Sequence, residues 1–215
     1  KVLEGYIGLL PISPYQIPYR ILIPEKIKGL IVPVAASTTH VAYSTVRMEP
    51  LWMGLGQAVG IAACVAMHSQ TTIGEVPIDL LQQRLLEHGQ VLTYFDDIIV
   101  SDKAFKAIQF WGTKGFFDTY TAHAGLPLTA DIWQHWHRIV NTLLANGGDG
   151  IAVSGAAEVS IAQFKDVLNK QFAGMRPIEV QNEMYFYDTR AEGEPIKRGE
   201  ACIIYFDLYM NLKYG

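Results

Sequence analysis

Four side chains capable of chemistry stand close together in the sequence: His40, Ser44, Arg47 and Glu49. An imidazole such as that of His40 can transfer protons near neutral pH. The guanidinium of Arg47 can hold a phosphate or a carboxylate, and Glu49 could pair with Arg47 and orient it. We therefore predict His40 and Arg47 as catalytic residues. The alternative is that these side chains only satisfy backbone groups of a loop.

The segment that follows is uncharged from Pro50 to Gln70. Glu49-Pro50 is typical of a helix start, because Pro is tolerated in the first turn and a carboxylate stabilises the positive end of the dipole. A helix that is apolar on all sides lies inside protein or inside a membrane. This one has the length of a membrane span but contains Gln57, His68 and three glycines. We predict a buried helix of a soluble protein and no membrane span.

The elements that would position these residues differ between the two halves of the chain. Residues 1–49 are rich in Pro and β-branched residues, and short apolar runs predict strands at 7–12 and 29–35. Leucines at helical spacing predict an amphipathic helix over 78–88. Further helices are predicted at 104–114, 129–145 and 160–172, the last of which opens with a Ser160-x-x-Gln163 capping box. Residues 200–212 fit either a helix or a strand, and we favour a helix. The predicted fold is an α/β lobe, residues 1–100, followed by a mainly α-helical module, residues 101–215.

Two strings in the first half resemble a known family. Residues 37–50 read Ser-x-x-His-x-Ala-x-x-x-x-Arg-Met-Glu-Pro, and residues 56–63 read Gly-Gln-Ala-x-Gly-x-Ala-Ala. Together they resemble the carboxy-terminal, flavin-contacting part of the FAD-dependent oxidoreductases whose bacterial members often carry the label xanthan lyase. The resemblance covers about the first 95 residues.

The resemblance implies a helix whose amino end points at the flavin. Free backbone N–H groups and the helix dipole would stabilise negative charge on a reduced flavin. The cofactor-binding residues that it implies are Gly54, Gly56, Gln57, Ala58, Ser44 and Glu49. The alternative for the glycines is tight packing of a helix against a sheet.

The sequence lacks the Gly-x-Gly-x-x-Gly turn between a strand and a helix that binds the pyrophosphate of FAD. We therefore expect FAD in a full-length parent protein and no tight FAD binding by this chain. The expected partner is a missing amino-terminal dinucleotide-binding segment. Because the sequence begins with Lys1 and not Met, we interpret it as a processed product, an expressed segment or a fragment.

The second half contains a faint repeat. Pro127-Leu128-Thr129 and Pro195-Ile196-Lys197 both put a Pro-aliphatic pair before a helix, and Val159-Ser160 is a looser third copy. This resembles an S-layer-homology type of helical module, although helix capping could produce the same pattern. The alternative function is therefore a carbohydrate- or cell-surface-binding module with exposed aromatic residues such as Trp133 and Tyr120. A polysaccharide lyase component is a third interpretation.

The charge and the cysteines exclude several classes. The net charge of −4 provides no basic surface for nucleic acid. No metal-ligand spacing is present, because His135 and His137 lie about 200° apart on a helix. The two cysteines, Cys64 and Cys202, do not suggest a disulfide framework. An apolar surface on an incomplete fold favours a homo-oligomer. The sequence does not indicate a compartment, although a periplasmic or cell-surface location is compatible with the binding-module interpretation.

Overall fold

The computed structural model describes residues 13–145, 151, 157–172 and 190–215. The chain divides into two compact units, Lys1–Tyr94 (unit 1) and Phe95–Gly215 (unit 2). The boundary that we predict from the sequence between the two halves of the chain lies near residue 100. Seven α-helices lie in the described ranges: α1 His40–Val46, α2 Glu49–His68, α3 Ile78–Glu87, α4 Phe105–Gly112, α5 Ala130–Leu143, α6 Ile161–Phe172 and α7 Arg198–Tyr214.

Unit 1 is held together by one side of α2. Its small and branched residues pack with α3 and the connecting loop in a cluster of Ala62, Val65, Ala66, Val76, Leu81 and Leu85. The loop between the helices is fixed by Tyr19, whose hydroxyl donates to the Ile73 carbonyl at 2.7 Å. Partial burial raises the pKa of Tyr19. Gly89 ends α3 at a φ of 77°, a left-handed conformation that favours glycine.

The prediction of an α/β lobe is wrong for the part of unit 1 that the structure describes. Residues 29–35 form turns, bends and irregular chain instead of a strand. Within this segment Val32 N donates to Leu22 O, and just after it Ser37 N donates to Ile21 O; both acceptors lie in the 3₁₀-helix Tyr19–Leu22. A strand requires a paired neighbour, and Pro33 removes one donor from this segment. The strand predicted at 7–12 lies outside the described residues.

Unit 2 is organised around the three repeated helix starts. The backbone N–H of Leu128 donates to Ile196 O at 2.8 Å, that of Ile196 to Val159 O at 2.9 Å, and that of Val159 to Leu128 O at 2.9 Å. These three bonds close a ring, and all three side chains are buried. The repeat noted in the sequence therefore places one residue of each copy at a common centre.

A second set of bonds surrounds this ring and satisfies the first N–H of each following helix. Ala130 N donates to Ala157 O at 3.0 Å, Ile161 N to Glu194 O at 2.9 Å, and Arg198 N to Leu126 O at 2.9 Å. Helix N-termini otherwise leave such donors without intrahelical partners. Here the helix of each copy is capped by a carbonyl of the next copy, and that of the third copy by the first, so that α5, α6 and α7 start from one connected backbone frame.

The helices predicted in unit 2 are confirmed with small shifts of their ends. The capping box predicted at the start of α6 forms, with Gln163 N donating to Ser160 Oγ at 3.2 Å and Ser160 N to Gln163 Oε1 at 3.0 Å. The segment for which the sequence left helix and strand open is helical. Trp133 lies in the core with 1% exposure, so the expectation that it is an exposed aromatic is wrong.

Candidate functional site

Helix α2 has one covered side and one open side. Leu55, Ala62, Val65 and Ala66 are buried within unit 1. On the other side, residues three or four positions apart are exposed, which places them in one stripe along the helix. We call this stripe the open face of α2: Met53, Gly56, Gly60, Cys64 and Met67.

The open face is apolar. Met53 is 76% exposed and Met67 70% exposed, which is unusual for two large apolar side chains on one helix face. By length and composition α2 could cross a membrane, since it has 20 residues and its most apolar window has a mean hydropathy of 1.5. Only 22% of that window is buried inside the protein. The core helix of a soluble protein passes the same test, so the expected absence of a membrane span stays a prediction.

The two glycines of the open face have no packing role within the described chain. A Cβ added at Gly56 or Gly60 would meet no atom within 4 Å. Glycine in the interior of a helix lowers stability by about 0.5–1 kcal/mol relative to alanine. Since no described atom of unit 1 lies close enough to require glycine at these two positions, the glycines are suited to close approach by a group outside unit 1.

Replacing Gly60 by alanine will stabilise unit 1 by about 0.5–1 kcal/mol, because the helix gains propensity and the new methyl group meets nothing. Urea denaturation followed by circular dichroism measures this gain. Gly89→Ala is the matched control and should destabilise unit 1, because Gly89 has a φ of 77°. A loss of stability in Gly60→Ala would show that unit 1 itself packs against this position.

The amino end of α2 offers fewer backbone donors than its sequence suggests. Pro50 has no N–H, and the N–H groups of Leu51 and Trp52 both donate to Met48 O, at 3.0 and 3.1 Å. No side chain caps this end of the helix. The positive end of the dipole already has the Glu49 carboxylate in its first turn, and most of the first-turn N–H groups are not available to a ligand.

The implied contact residues Gly54, Gly56, Gln57 and Ala58 lie in the second and third turns of α2, not at its amino end. Their N–H groups belong to the helix ladder, so they can contribute surface and side-chain atoms only. Gly54 faces Gln90, whose Nε2 would lie 3.4 Å from an added Cβ. Gln57 donates from Nε2 to His88 O at 3.3 Å. Ala58 packs against the core cluster of unit 1.

The predicted polar residues lie just before this helix. His40 is the first residue of α1, whose N-cap Thr39 accepts from Ala42 N at 3.2 Å. Ser44 donates its hydroxyl to Val41 O at 2.6 Å within the same helix. Arg47 ends α1.

Two of these residues, Arg47 and Glu49, lie at the junction between α1 and α2. Arg47 and Glu49 are both exposed, and among the described residues no ion pair joins them. The structure thus places His40, Arg47 and Glu49 at solvent-facing positions where another body could contact them.

Unit 2 contains a cavity of about 400 Å³ beside the start of α7. Its wall combines the rings of Phe117 and Trp136 with Asp131 and Arg198. The Thr129 hydroxyl donates to Asp131 and, together with a backbone N–H, lowers the pKa of this carboxyl. Arg198 Nε is buried without a hydrogen-bond partner among the described residues. An apolar wall with a few polar groups is typical of a small-ligand pocket.

The sequence did not single out Asp131 or Arg198 as a pair. They are 67 positions apart, and the ring of repeat starts brings their helices together. The repeat in the sequence could have indicated this proximity, because equivalent helix starts lie side by side when the repeats form a closed module.

Comparison with known proteins connects unit 1 with flavin chemistry. Residues 2–85 match the family model described as FAD dependent oxidoreductase. This range is less than half of the 215 residues, and it contains α1, α2 and most of α3. The match indicates a flavin-related function for this part of the chain. The xanthan lyase label and the S-layer-homology resemblance receive no support. No curated protein and no solved structure matches the chain.

Proposed function

We propose that unit 1 forms part of the flavin pocket of an FAD-dependent oxidoreductase. The observation that carries the proposal is the open face of α2, which is apolar, contains two glycines and is not covered by the described residues of unit 1. It lies inside the range that matches the family model. The residues fit a flavin in one respect: the two glycines leave room on the helix for a flat ring.

Within this proposal the chain contributes an apolar surface for the flavin ring and polar side chains that orient the ligand. The open face of α2 excludes water from the ring that lies against it. Arg47 binds a phosphate of the cofactor or a carboxylate of the substrate. Glu49 and Ser44, which are close to Arg47 in the sequence, contact the same ligand. His40 holds or moves a proton at its imidazole nitrogen. When bound, FAD supplies hydride or electron transfer.

The partner in this proposal is a dinucleotide-binding segment that carries the Gly-x-Gly-x-x-Gly turn. The described part of unit 1 has no sheet against which the irregular segment 29–35 could pair. We expect the open face of α2 to be covered when the partner binds.

The test is flavin loading after the chain is joined to an amino-terminal dinucleotide-binding segment of this family. The purified fusion should be yellow, and Gly56→Leu should lower its flavin content by about tenfold or more, since roughly 1.4 kcal/mol of lost contact is a tenfold change. Gly125→Leu is the matched control, because a Cβ at this glycine also meets nothing and it lies in unit 2. A fusion that folds but stays colourless, or equal loading of Gly56→Leu and wild type, contradicts the proposal.

The cavity of unit 2 supports a second function, the binding of a carbohydrate. Its aromatic wall can pack on a sugar ring, and Asp131 and Arg198 can accept from and donate to hydroxyl groups. Retention of the full chain on insoluble cell-wall glycan tests this function. Asp131→Asn and Arg198→Gln should lower retention, whereas Lys170→Gln, an exposed change on α6, should not. Equal retention of all variants would exclude this cavity as the glycan site.

A further inference from the structure

The core of unit 2 contains a chain of hydrogen bonds between polar side chains of three helices. Trp133 Nε1 donates to the hydroxyl of Tyr205 at 2.8 Å. The same hydroxyl lies 2.8 Å from Nδ1 of His137, and Nε2 of His137 is bonded to Oε1 of Gln171. Gln171 in turn donates from Nε2 to Asn141 Oδ1 at 2.9 Å. The chain therefore connects α5, α6 and α7.

The partners fix where the protons lie. Gln171 uses its amide N–H on Asn141, so its carbonyl oxygen faces His137 and Nε2 of the imidazole must carry a proton. A neutral imidazole then accepts at Nδ1, and the hydroxyl of Tyr205 donates to it. Each of the four bonds of this chain then has one donor and one acceptor, provided that His137 is uncharged.

Among the described residues, no acidic side chain lies close enough to His137 to balance a positive charge. The imidazole is 1% exposed. From α5 it is faced by Trp133 and Asn141, from α6 by Gln171 and the Phe172 ring, and from α7 by Tyr205. Burial lowers the pKa of His137 more than the Gln171 bond raises it, and no carboxylate contributes among the described residues. Burial raises the pKa of Tyr205 and of Cys202 behind it, so both stay neutral in weak acid.

Protonation of His137 would remove the acceptor from one bond of the chain. A charged imidazole donates from both nitrogens, so Nδ1 could no longer accept from Tyr205. The hydroxyl proton of Tyr205 would be left without an acceptor in a fully buried site, next to an unbalanced charge. Protonation of His137 would therefore destabilise the contact between α5 and α7.

We propose that His137 is a pH-sensitive switch in unit 2, which loosens the contacts among α5, α6 and α7 in mildly acidic solution. Unit 2 is fully stabilised above the ordinary pKa of histidine, 6.5, where the folded and unfolded forms are both neutral. As the pH falls below this value, the unfolded form takes up the proton first and stability is lost. The loss continues until the pH reaches the lowered pKa of the folded form.

The experiment follows urea unfolding of the full chain by tryptophan fluorescence between pH about 7.5 and about 5, the range in which histidine titrates. The unfolding constant should rise by up to about tenfold for each pH unit below 6.5. His137→Asn keeps an acceptor for Tyr205 but cannot be protonated, so it should flatten this dependence. His135→Gln is the matched control on the same helix and should retain it, because His135 is partly exposed and bonded to Gly115 O.

A gain-of-charge variant keeps the proposal testable if His137→Asn does not fold. Gln171→Glu places a carboxylate beside Nε2 of His137, which should favour the charged imidazole and reverse the slope of stability against pH. A wild-type unfolding midpoint that does not change over this range would overturn the proposal. So would a His137→Asn protein with the slope of the wild type.

Discussion

Replacing Trp111 by alanine will destabilise unit 2 by about 3–5 kcal/mol, the usual cost of removing a buried tryptophan side chain. Trp111 is fully buried on α4 and stacks on Phe116 with 4.3 Å between ring centroids. Its Nε1 donates to Cys202 O at 3.0 Å, which links α4 to α7. Alanine would leave a large cavity and remove the hydrogen bond that joins α4 to Cys202 O of α7.

Urea unfolding followed by fluorescence of the remaining tryptophans measures the effect. Reaction of the buried Cys202 thiol with a maleimide gives a second reading that is specific for unit 2. Lys106→Ala is the matched control, because Lys106 lies on the same helix and is exposed. If Trp111→Ala costs no more than Lys106→Ala, α4 does not form part of the core of unit 2.

Replacing Glu200 by alanine will also destabilise unit 2 strongly, by about 3–5 kcal/mol, since it leaves a buried charge without its partner. Glu200 is 0% exposed and accepts from Arg190 and from Lys197 N at 2.8 Å. Arg190 also donates to Pro195 O at 2.9 Å and has 11% of its side chain exposed. The variant removes an ion pair and the cap of α7 together.

The variant Glu194→Gln is the control for Glu200→Ala, because it removes the exposed ion pair of Arg190 and leaves the buried one. Glu194 lies 4.0 Å from Arg190 but is 50% exposed, so its loss should cost about 0–1 kcal/mol. Thermal unfolding of the two variants, followed by circular dichroism, compares them directly. Equal and small effects of both changes would mean that the Arg190–Glu200 pair does not hold the start of α7.

Local rules predicted the helices well because each one carries its own signal. The capping box at Ser160 and Gln163 and the Glu49-Pro50 start both form where the sequence places them. Strand prediction failed at residues 29–35, because an apolar run does not reveal whether a second strand is available to pair with it. A helix depends on its own residues, whereas a sheet depends on distant ones.

The candidate sites were predicted unevenly for the same reason. The uncharged character of α2 is visible in the sequence, but which side of it stays open depends on the packing of Ala62 and Val65 against α3. Trp133 was expected to be exposed because composition does not distinguish a surface ring from a core ring. The bond between His137 and Tyr205 joins residues 68 positions apart, and no local pattern signals it.

The proposed flavin pocket depends on one physical claim, that the open face of α2 is covered by a flavin-binding body outside unit 1. Cys64 lies on this face and is exposed, whereas Cys202 is buried. The most direct measurement is the rate at which Cys64 reacts with a maleimide, in the isolated chain and in the flavin-loaded fusion. The proposal predicts rapid reaction of Cys64 in the isolated chain and strong protection in the fusion. Protection already present in the isolated chain, or an unchanged rate in the flavin-loaded fusion, would contradict it.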